Sequence, residues 1–481
     1  MKRKIYSLFL LFLLSFLAVS ACLIYFDNKE HMNAKKQYQE RLSLESYDSV
    51  FFSMYPINNY SVEDFTTYRA VTPILSDYAI SDFSEIGEFL ETAFASGNDI
   101  TNVYLGLDPY LMWTSLGKKN ERWEQALELH LLSYITAHPS LAFEILLPYP
   151  SIKYWASLKE KELDTAFTTY DTLIHTLEPY SNVTVYFVGA EEWLIANPGN
   201  YTDALETNYQ VSLKLMLLTF CDHNLQISSS DTAAVFADLK SRIRQEKESP
   251  ETYPDLSGWD IVFFGDSIIG NFSGSASIPG VINSLTRASV YNYAIGGTPA
   301  ASASDADNTF LPVVNSFLNQ QLTATQDGTC FPYDDRQESA HQLCFIIHYG
   351  LNDYFNGQPV DNQDDPFDRF TYGGALRSGI SLLQEAYPEA KIVVMSPPFC
   401  TYYSEGTDKN GDAGGTLIEY VSAASQVARE MNVLYFDSYH DLGITADNAD
   451  LYLADGCHLN EAGRFLEGKK IIRLLEQHQG Q

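Results

Sequence analysis

The sequence has few positively charged residues. Lys and Arg together number 30 against 62 Asp and Glu, which gives the 481-residue chain a formal net charge of −32 at pH 7. A surface of this charge repels a phosphate backbone, so the composition argues against a nucleic-acid-binding protein. The same charge favours solubility in a saline exterior rather than any specific partner.

Cysteine is also scarce, with six residues in the chain. None of them forms a Cys-x-x-Cys pair or another spacing typical of zinc sites. In an oxidising compartment Cys330 and Cys344 could close a short loop before a strand, and Cys400 could pair with Cys457. Buried, unpaired thiols are an equally good interpretation.

No metal or cofactor is expected from the sequence. Residues 408–419 resemble a calcium-binding loop, but Ala413 occupies the position of the required glycine. Residues 416–419 also fit a capping box, which gives Glu419 a simpler role at the start of a helix. The remaining histidines lack ligand spacing and are expected to be structural: His341, His348 and His440.

One long apolar run lies at the amino terminus. Residues 1–4 are basic, and the uncharged residues 5–26 are long enough to cross a bilayer core of about 30 Å. The length favours a retained signal anchor, with the basic flank in the cytoplasm. Residues 19–22 also resemble a bacterial lipobox with Cys22 as the lipidated residue, and a cleaved, secreted form is a third interpretation. All three place the rest of the chain outside the cytoplasm, and the anchor predicts a single-pass protein of the cell membrane.

Two α/β regions are predicted after a polar stalk at residues 27–50. In residues 51–244, helical patterns such as 84–95 alternate with extended ones such as 102–107. This alternation predicts an α/β region whose role the sequence does not reveal. Residues 245–255, charged and with two prolines, are the predicted linker.

Residues 255–475 predict an α/β domain with a doubly wound parallel sheet. The expected strands are 260–264, 289–293, 343–349, 391–396 and 433–437. The first strand ends abruptly in Gly265-Asp266-Ser267. In open α/β sheets ligands bind at the carboxyl ends of the strands, so this serine is expected at a ligand site.

Groups that could activate such a serine follow elsewhere in the chain. Residues 292–297 end the second predicted strand in a glycine pair, and residues 350–353 follow the third strand. Asp455 and His458 could supply an orienting carboxylate and a general base. Taken singly, each residue could instead be a helix cap or a turn residue.

In this order, the four segments resemble the four signature blocks of the SGNH (GDSL-type) hydrolases. The residues carried over by the resemblance are the nucleophile Ser267, the oxyanion glycine Gly296 with Gly297 as a one-residue shift, the oxyanion asparagine Asn352, and the triad members Asp455 and His458. The backbone N–H of Ser267 would complete the oxyanion hole. The resemblance implies an SGNH-hydrolase-like fold with flavodoxin-like layering over residues 255–475, and it does not cover the first half of the chain.

The resemblance and the amino terminus together predict an extracytoplasmic, membrane-anchored serine esterase. The expected substrates are O-acyl esters, such as O-acetyl groups, of cell-surface glycans or related alcohol esters. One alternative is an O-acyltransferase of the same fold that modifies an envelope polysaccharide. The other alternative is a non-catalytic glycan-binding protein.

Overall fold

The structure, a computed structural model, describes residues 32–55, 57, 59–80, 82–108, 123–302, 308–321 and 341–479. The predicted signal anchor at 5–26 lies outside these residues, as do Cys22 and Cys330. Among the described residues, no helix combines the length and the apolar character needed to cross a bilayer.

The chain forms two compact units. One contains the described residues within Met1–Ala190 and Thr202–Glu248, and the other contains those within Glu191–Tyr201 and Ser249–Gln481. The short segment Glu191–Tyr201 therefore belongs to the second unit although it comes from the first half of the sequence. The chain passes between the units after residues 190, 201 and 248, whereas the sequence predicted a single linker at 245–255.

The first unit contains a five-stranded sheet in the order β2-β1-β3-β4-β5, in which every pairing is parallel. The strands are β1 Ser49–Ser53, β2 Pro73–Ala79, β3 Asn102–Gly106, β4 Ala142–Leu146 and β5 Val183–Tyr186. Every residue of β1 is buried, as expected for a strand covered on both faces. The first half of the chain is thus an α/β unit in its own right.

The stalk predicted at 27–50 is wrong for the part that the structure describes. Residues 32–44 form a helix that buries Tyr38 and Leu42 completely. These side chains are four residues apart and so lie on one helix face, although charged residues surround them in the sequence. Strand β1 then begins at Ser49 and pairs with both β2 and β3.

The helices of the first unit include the helical pattern predicted at 84–95, which lies within Phe83–Ala95. After residues 32–44, the α-helices are Val62–Asp64, Phe83–Ala95, Trp123–Leu127, Ser133–Ala137, Ile152–Ser157, Glu160–Leu177, Tyr209–Met216 and Thr232–Glu248. Within the described residues of this unit, three segments are π-helical: Phe65–Arg69, Glu128–Leu132 and Leu217–Cys221.

The second unit contains the other five-stranded parallel sheet, in the order β10-β9-β8-β6-β7. Its strands are β6 Trp259–Gly265, β7 Ser289–Asn292, β8 Gln342–His348, β9 Lys391–Met395 and β10 Leu434–Phe436, close to the predicted ones. Its α-helices are Glu192–Ile195, Ser267–Gly270, Ile278–Thr286, Phe310–Leu318, Leu351–Phe355, Tyr372–Ala386, Leu417–Glu430, Ser438–Asp441, Ala449–Tyr452 and Glu461–Gln477. Pro198–Asn200 and Gly274–Ala276 are 3₁₀ turns, and the turn Tyr402–Glu405 contains left-handed residues.

The two sheets have the same topology. Numbered from the first strand of each unit, both follow the order 2-1-3-4-5, which is the flavodoxin-like doubly wound arrangement. In this arrangement the first strand has the second on one side and the third on the other, so a crevice opens beyond its carboxyl end. In the second unit that strand is β6, and the crevice lies where Ser267 follows it.

In the first unit the corresponding end of β1 is filled by tyrosine side chains. Tyr55, two residues beyond β1, is 4% exposed and its O–H donates to the backbone oxygen of Leu146 at 2.9 Å. Its ring lies 5.8 Å from the ring of Tyr149, whose hydroxyl hydrogen-bonds that of Tyr60 at 3.1 Å. Ser267, by contrast, lies two residues beyond the end of β6.

Candidate active site

The nucleophile position is built by the end of β6. Asp266, and not Ser267, is the N-cap of the helix Ser267–Gly270, because its carboxylate accepts the N–H of Ile268 at 3.0 Å. A Cβ at Gly265 would lie 2.8 Å from the backbone oxygen of His348, so the close packing of β6 on β8 requires glycine there. Ser267 is left at the first helical position with its hydroxyl free for another partner.

That partner is His458. Its Nε2 lies 2.8 Å from the Oγ of Ser267, and its Nδ1 lies 2.8 Å from Oδ2 of Asp455. An ionised carboxylate can only accept, so Nδ1 carries the proton and donates it to Asp455. Nε2 is then unprotonated and accepts the Ser267 O–H. The predicted Ser–His–Asp set therefore forms one continuous hydrogen-bonded chain.

The Asp455 carboxylate is held by its own loop. Its Oδ1 accepts the backbone N–H groups of Cys457 at 3.0 Å and His458 at 2.7 Å. Burial alone would raise the pKa of Asp455, but the hydrogen bonds from His458 and Cys457 outweigh it and the pKa is lowered. Asp455 is therefore ionised at neutral pH and fixes the imidazole orientation.

The predicted oxyanion residues lie at the same edge. A Cβ placed on Gly296 would lie 3.7 Å from the Cβ of Ser267 and only 2.3 Å from Oδ1 of Asn271. A Cβ on Gly297 would meet nothing within 4 Å, so Gly296 and not Gly297 is the glycine that lies against the serine. The side-chain amide of Asn352, on the helix Leu351–Phe355, hydrogen-bonds the Asp266 carboxylate beside Ser267. The structure thus brings together all five predicted residues.

Comparison with known families agrees with this arrangement. The family model described as GDSL-like lipase/acylhydrolase matches residues 263–464, which contain the whole Ser–His–Asp chain. The second unit belongs to the GDSL-like acylhydrolases. It is therefore a domain of the serine ester hydrolase class, as the resemblance in the sequence predicted.

Three solved structures similar to this chain match about half of it and nearly the whole of themselves. A protein from Lactobacillus plantarum is 21% identical, covers 47% of this chain and 99% of its own, and has a TM-score of 0.36. A possible lipase from Chitinophaga pinensis is 18% identical, covers 46% of this chain and 98% of its own, and has a TM-score of 0.32. A member of the lipolytic G-D-S-L family from Veillonella parvula is 18% identical, covers 45% of this chain and 98% of its own, and has a TM-score of 0.31. A search of the curated proteins found no match.

Two aspartates of the acylhydrolase domain matter in ways that the sequence did not reveal. Burial raises the pKa of Asp266 to about 6, although its hydrogen bonds with Ile268 and Asn352 oppose the rise. Burial also raises the pKa of Asp353 to about 7. The Asp353 carboxylate accepts the N–H groups of Ala300 and Ala301, both at 2.8 Å, and so ties the loop after the glycine pair to the Asn352 helix. In the sequence, Asp266 lies next to Ser267 and Asp353 lies next to Asn352, and no other feature of the sequence pointed to these two aspartates.

A histidine and a glutamate are buried among the elements that support the site. Nε2 of His348, at the end of β8, donates to the backbone oxygen of Ser396 at 3.1 Å and lies 4.0 Å from Oε1 of Glu467. Glu467 accepts the Ser438 hydroxyl at 2.8 Å, while its Oε2 and the Nδ1 of His348 have no partner among the described residues. Burial lowers the pKa of His348 to about 4 and raises that of Glu467 to about 7.

The other singled-out groups of the acylhydrolase domain have structural roles. The predicted capping box is confirmed, since Thr416 and Glu419 bond each other's backbone at the start of Leu417–Glu430. His341 and His440 pair with aspartates at 3.1 and 2.9 Å. Across the described part of the chain, no three ligating side chains cluster to hold a metal. Among the described residues the free thiols are Cys221 in the first unit and Cys344, Cys400 and Cys457 in the second, so the suggested pairing of Cys400 with Cys457 is not formed. The alternative pairing through Cys330 lies outside the described residues.

Glu467 should make the stability of the domain depend on pH. Its ordinary pKa is 4.5 and its folded pKa is about 7, so between these values the folded state holds a proton that the unfolded state has lost. Stability therefore falls as the pH rises through this range and levels off above it. Glu467→Gln cannot ionise and so lacks this loss. As the pH is raised from 5 to 8, we expect its unfolding free energy to rise by roughly 2–3 kcal/mol relative to that of wild type.

Urea denaturation of both proteins at several pH values measures this difference. Glu476→Gln, at the exposed end of the same helix, is the matched control and should change the pH dependence by less than about 0.5 kcal/mol. A Glu467→Gln protein that follows the wild-type pH curve would show that Glu467 is ionised in the folded state across the whole range.

Proposed function

We propose that this protein is a serine esterase that cleaves O-acyl esters through an acyl-enzyme on Ser267. The observation that carries the proposal is the unbroken chain from Asp455 through His458 to the Ser267 hydroxyl, with 2.8 Å at each junction. In this geometry the base is within reach of the proton that it must remove. Each helix-cap alternative explains only one of the three residues.

The reaction follows from the proton positions. His458 Nε2 removes the Ser267 proton as Oγ attacks the ester carbonyl carbon, and Asp455 stabilises the resulting imidazolium. The negative oxygen is stabilised by the backbone N–H groups of Ser267 and Gly296 and by the amide of Asn352. His458 then protonates the leaving alcohol as the carbon–oxygen bond breaks. Water, activated by the same imidazole, hydrolyses the serine ester and restores the enzyme.

The substrate and location belong to the same proposal. The basic start and the apolar residues 5–26 support a signal anchor in the cell membrane, with the domain outside the cytoplasm. An esterase held at the outer face meets cell-surface polysaccharides, whose hydroxyl groups carry O-acyl substituents such as acetyl. We therefore propose acylated cell-surface glycans, or related alcohol esters, as its substrates.

The nucleophile is tested first. We expect Ser267→Ala to abolish cleavage of 4-nitrophenyl acetate, and His458→Ala to cost nearly as much, because the two residues act as a unit. Asn352→Ala should cost less, on the order of 100- to 1000-fold, since two backbone donors remain. Hydrolysis rates and labelling by a serine-directed phosphonate are the measurements, and only proteins that retain Ser267 should be labelled.

Ser422→Ala, which removes an exposed serine hydroxyl from the helix Leu417–Glu430, is the matched control and should retain full activity. Thermal unfolding should show that Ser267→Ala shifts stability by less than about 1–2 kcal/mol. Wild-type activity in Ser267→Ala would refute the nucleophile. Faster acyl transfer to an oligosaccharide than to water would identify a transferase, and glycan binding without any ester cleavage would identify a binding protein.

The location has its own test. In cells, the full chain should pellet with membranes, and its second unit should be degraded by protease added outside intact cells. A variant lacking residues 2–26 should remain soluble in the cytoplasm, because the spanning segment is gone. Recovery of the mature chain from the culture medium, beginning near residue 22, would contradict a retained anchor.

A further inference from the structure

Three aromatic side chains form an exposed patch beside the triad, which we name the aromatic shelf: Phe355, Tyr402 and Tyr403. Tyr402 is 42% exposed and Tyr403 46%, while Phe355 is half-buried between them. The ring of Phe355 lies 5.8 Å from that of Tyr402 and 6.0 Å from that of Tyr403. Large aromatic side chains exposed side by side are more typical of a binding site than of a solvated surface.

The shelf is attached to the catalytic groups at both ends. Phe355 ends the helix Leu351–Phe355 that carries Asn352, and residues three apart lie on the same helix face. At the other end, the Tyr402 O–H donates to the backbone oxygen of Asp455 at 2.7 Å. The N–H of Thr401 donates to the oxygen of Gly456 at 2.8 Å. A molecule resting on the shelf therefore lies next to both the oxyanion donor and the Asp–His loop.

An unfavourable backbone presents the two tyrosines. Tyr403, Ser404 and Glu405 have φ values of 49°, 53° and 58°, in the left-handed region that costs L-residues roughly 1–2 kcal/mol each. The turn is held by the Ser404 hydroxyl, which donates to Asp408 at 2.6 Å, and by the N–H of Gly406, which donates to the oxygen of Tyr402 at 2.9 Å. Such strain is concentrated at binding and catalytic sites, where the surrounding structure maintains it.

The chemistry of the surroundings indicates what the shelf binds. All residues from Thr401 to Glu405 are exposed, so hydroxyl and carboxylate groups flank the rings on the open side. A long acyl chain needs an enclosed apolar groove, because its surface gains only when water is removed from it. A sugar ring has apolar C–H faces that pack on aromatic rings and a rim of hydroxyls that bond polar neighbours. Tyrosine offers a ring and a hydroxyl together, as this ligand requires.

We propose that the aromatic shelf is the subsite for the sugar ring that bears the scissile acyl group. This inference rests on the proposed esterase function and extends it, because it names the alcohol part of the ester as a carbohydrate. The sugar would stack on Tyr403 and Phe355, with its acylated hydroxyl directed toward Ser267. Tyr402, whose hydroxyl is already bonded to Asp455, would form the edge of the subsite nearest the triad.

The test compares esters with and without a sugar. For Tyr403→Ala, the ratio of kcat/KM on an O-acetylated xylo-oligosaccharide or manno-oligosaccharide to kcat/KM on 4-nitrophenyl acetate should fall at least tenfold, mainly through KM. Tyr403→Phe keeps the ring and should retain the wild-type ratio within about threefold. Tyr68→Ala removes an exposed tyrosine from the first unit and is the matched control, with no change expected in either activity.

Binding to the inactive protein separates this inference from the proposed function. Calorimetry on Ser267→Ala should detect the acetylated oligosaccharide, and adding Tyr403→Ala should weaken its affinity at least tenfold. Equal affinities, or a parallel loss of both esterase activities in Tyr403→Ala, would overturn the sugar subsite. So would a selective loss of activity on 4-nitrophenyl octanoate, which would assign the shelf to the acyl chain. If wild type cleaves no ester while the binding result holds, the proposed function fails and the subsite remains.

Discussion

The carboxylate of Asp266 is the point on which the acylhydrolase site depends. It caps the helix that begins with Ser267, and it also accepts the side-chain amide of Asn352. One buried group therefore fixes the nucleophile and an oxyanion donor relative to each other. Because Asp266 satisfies the helix cap, the serine hydroxyl is available to His458. The triad distances follow from this division of roles between two adjacent residues.

The buried acidic groups of this domain oppose stability at neutral pH. Asp266, Asp353 and Glu467 are each at most 1% exposed, and burial raises the pKa of all three. The charge of Asp266 adds to the rise at the other two, so ionisation of Asp266 disfavours the ionisation of Asp353 and of Glu467. Asp353 gains in return two backbone hydrogen bonds that fix a loop. Burial of these acids lowers the stability of this edge of the domain at neutral pH, and their hydrogen bonds hold the reacting groups in a rigid arrangement.

The sequence predicted the acylhydrolase part well and the first unit less well. The strands of the second sheet are continuous apolar runs, and the site residues follow them directly, so local pattern and global fold agree. Strand β1 was assigned in part to a stalk, since its five residues follow a charged helix whose burial depends on tertiary contacts. The left-handed turn at Tyr403 was missed because it contains no glycine before Gly406. No local pattern in the sequence indicates that Glu191–Tyr201 belongs to the second unit.

The shared strand order shows how one scaffold can be open or closed at the same place. In the second unit β6 ends in Gly265, where a Cβ would meet the backbone oxygen of His348, and Ser267 follows two residues later with its hydroxyl bonded to His458. In the first unit β1 ends in Ser53, and the buried ring of Tyr55 lies two residues beyond it, bonded through its hydroxyl to the backbone oxygen of Leu146. A fold comparison alone would assign both sheets the same activity. The described side chains at the two strand ends differ, with a serine bonded to a histidine in the second unit and buried tyrosine rings in the first, so function must be argued from the site rather than from the shared fold.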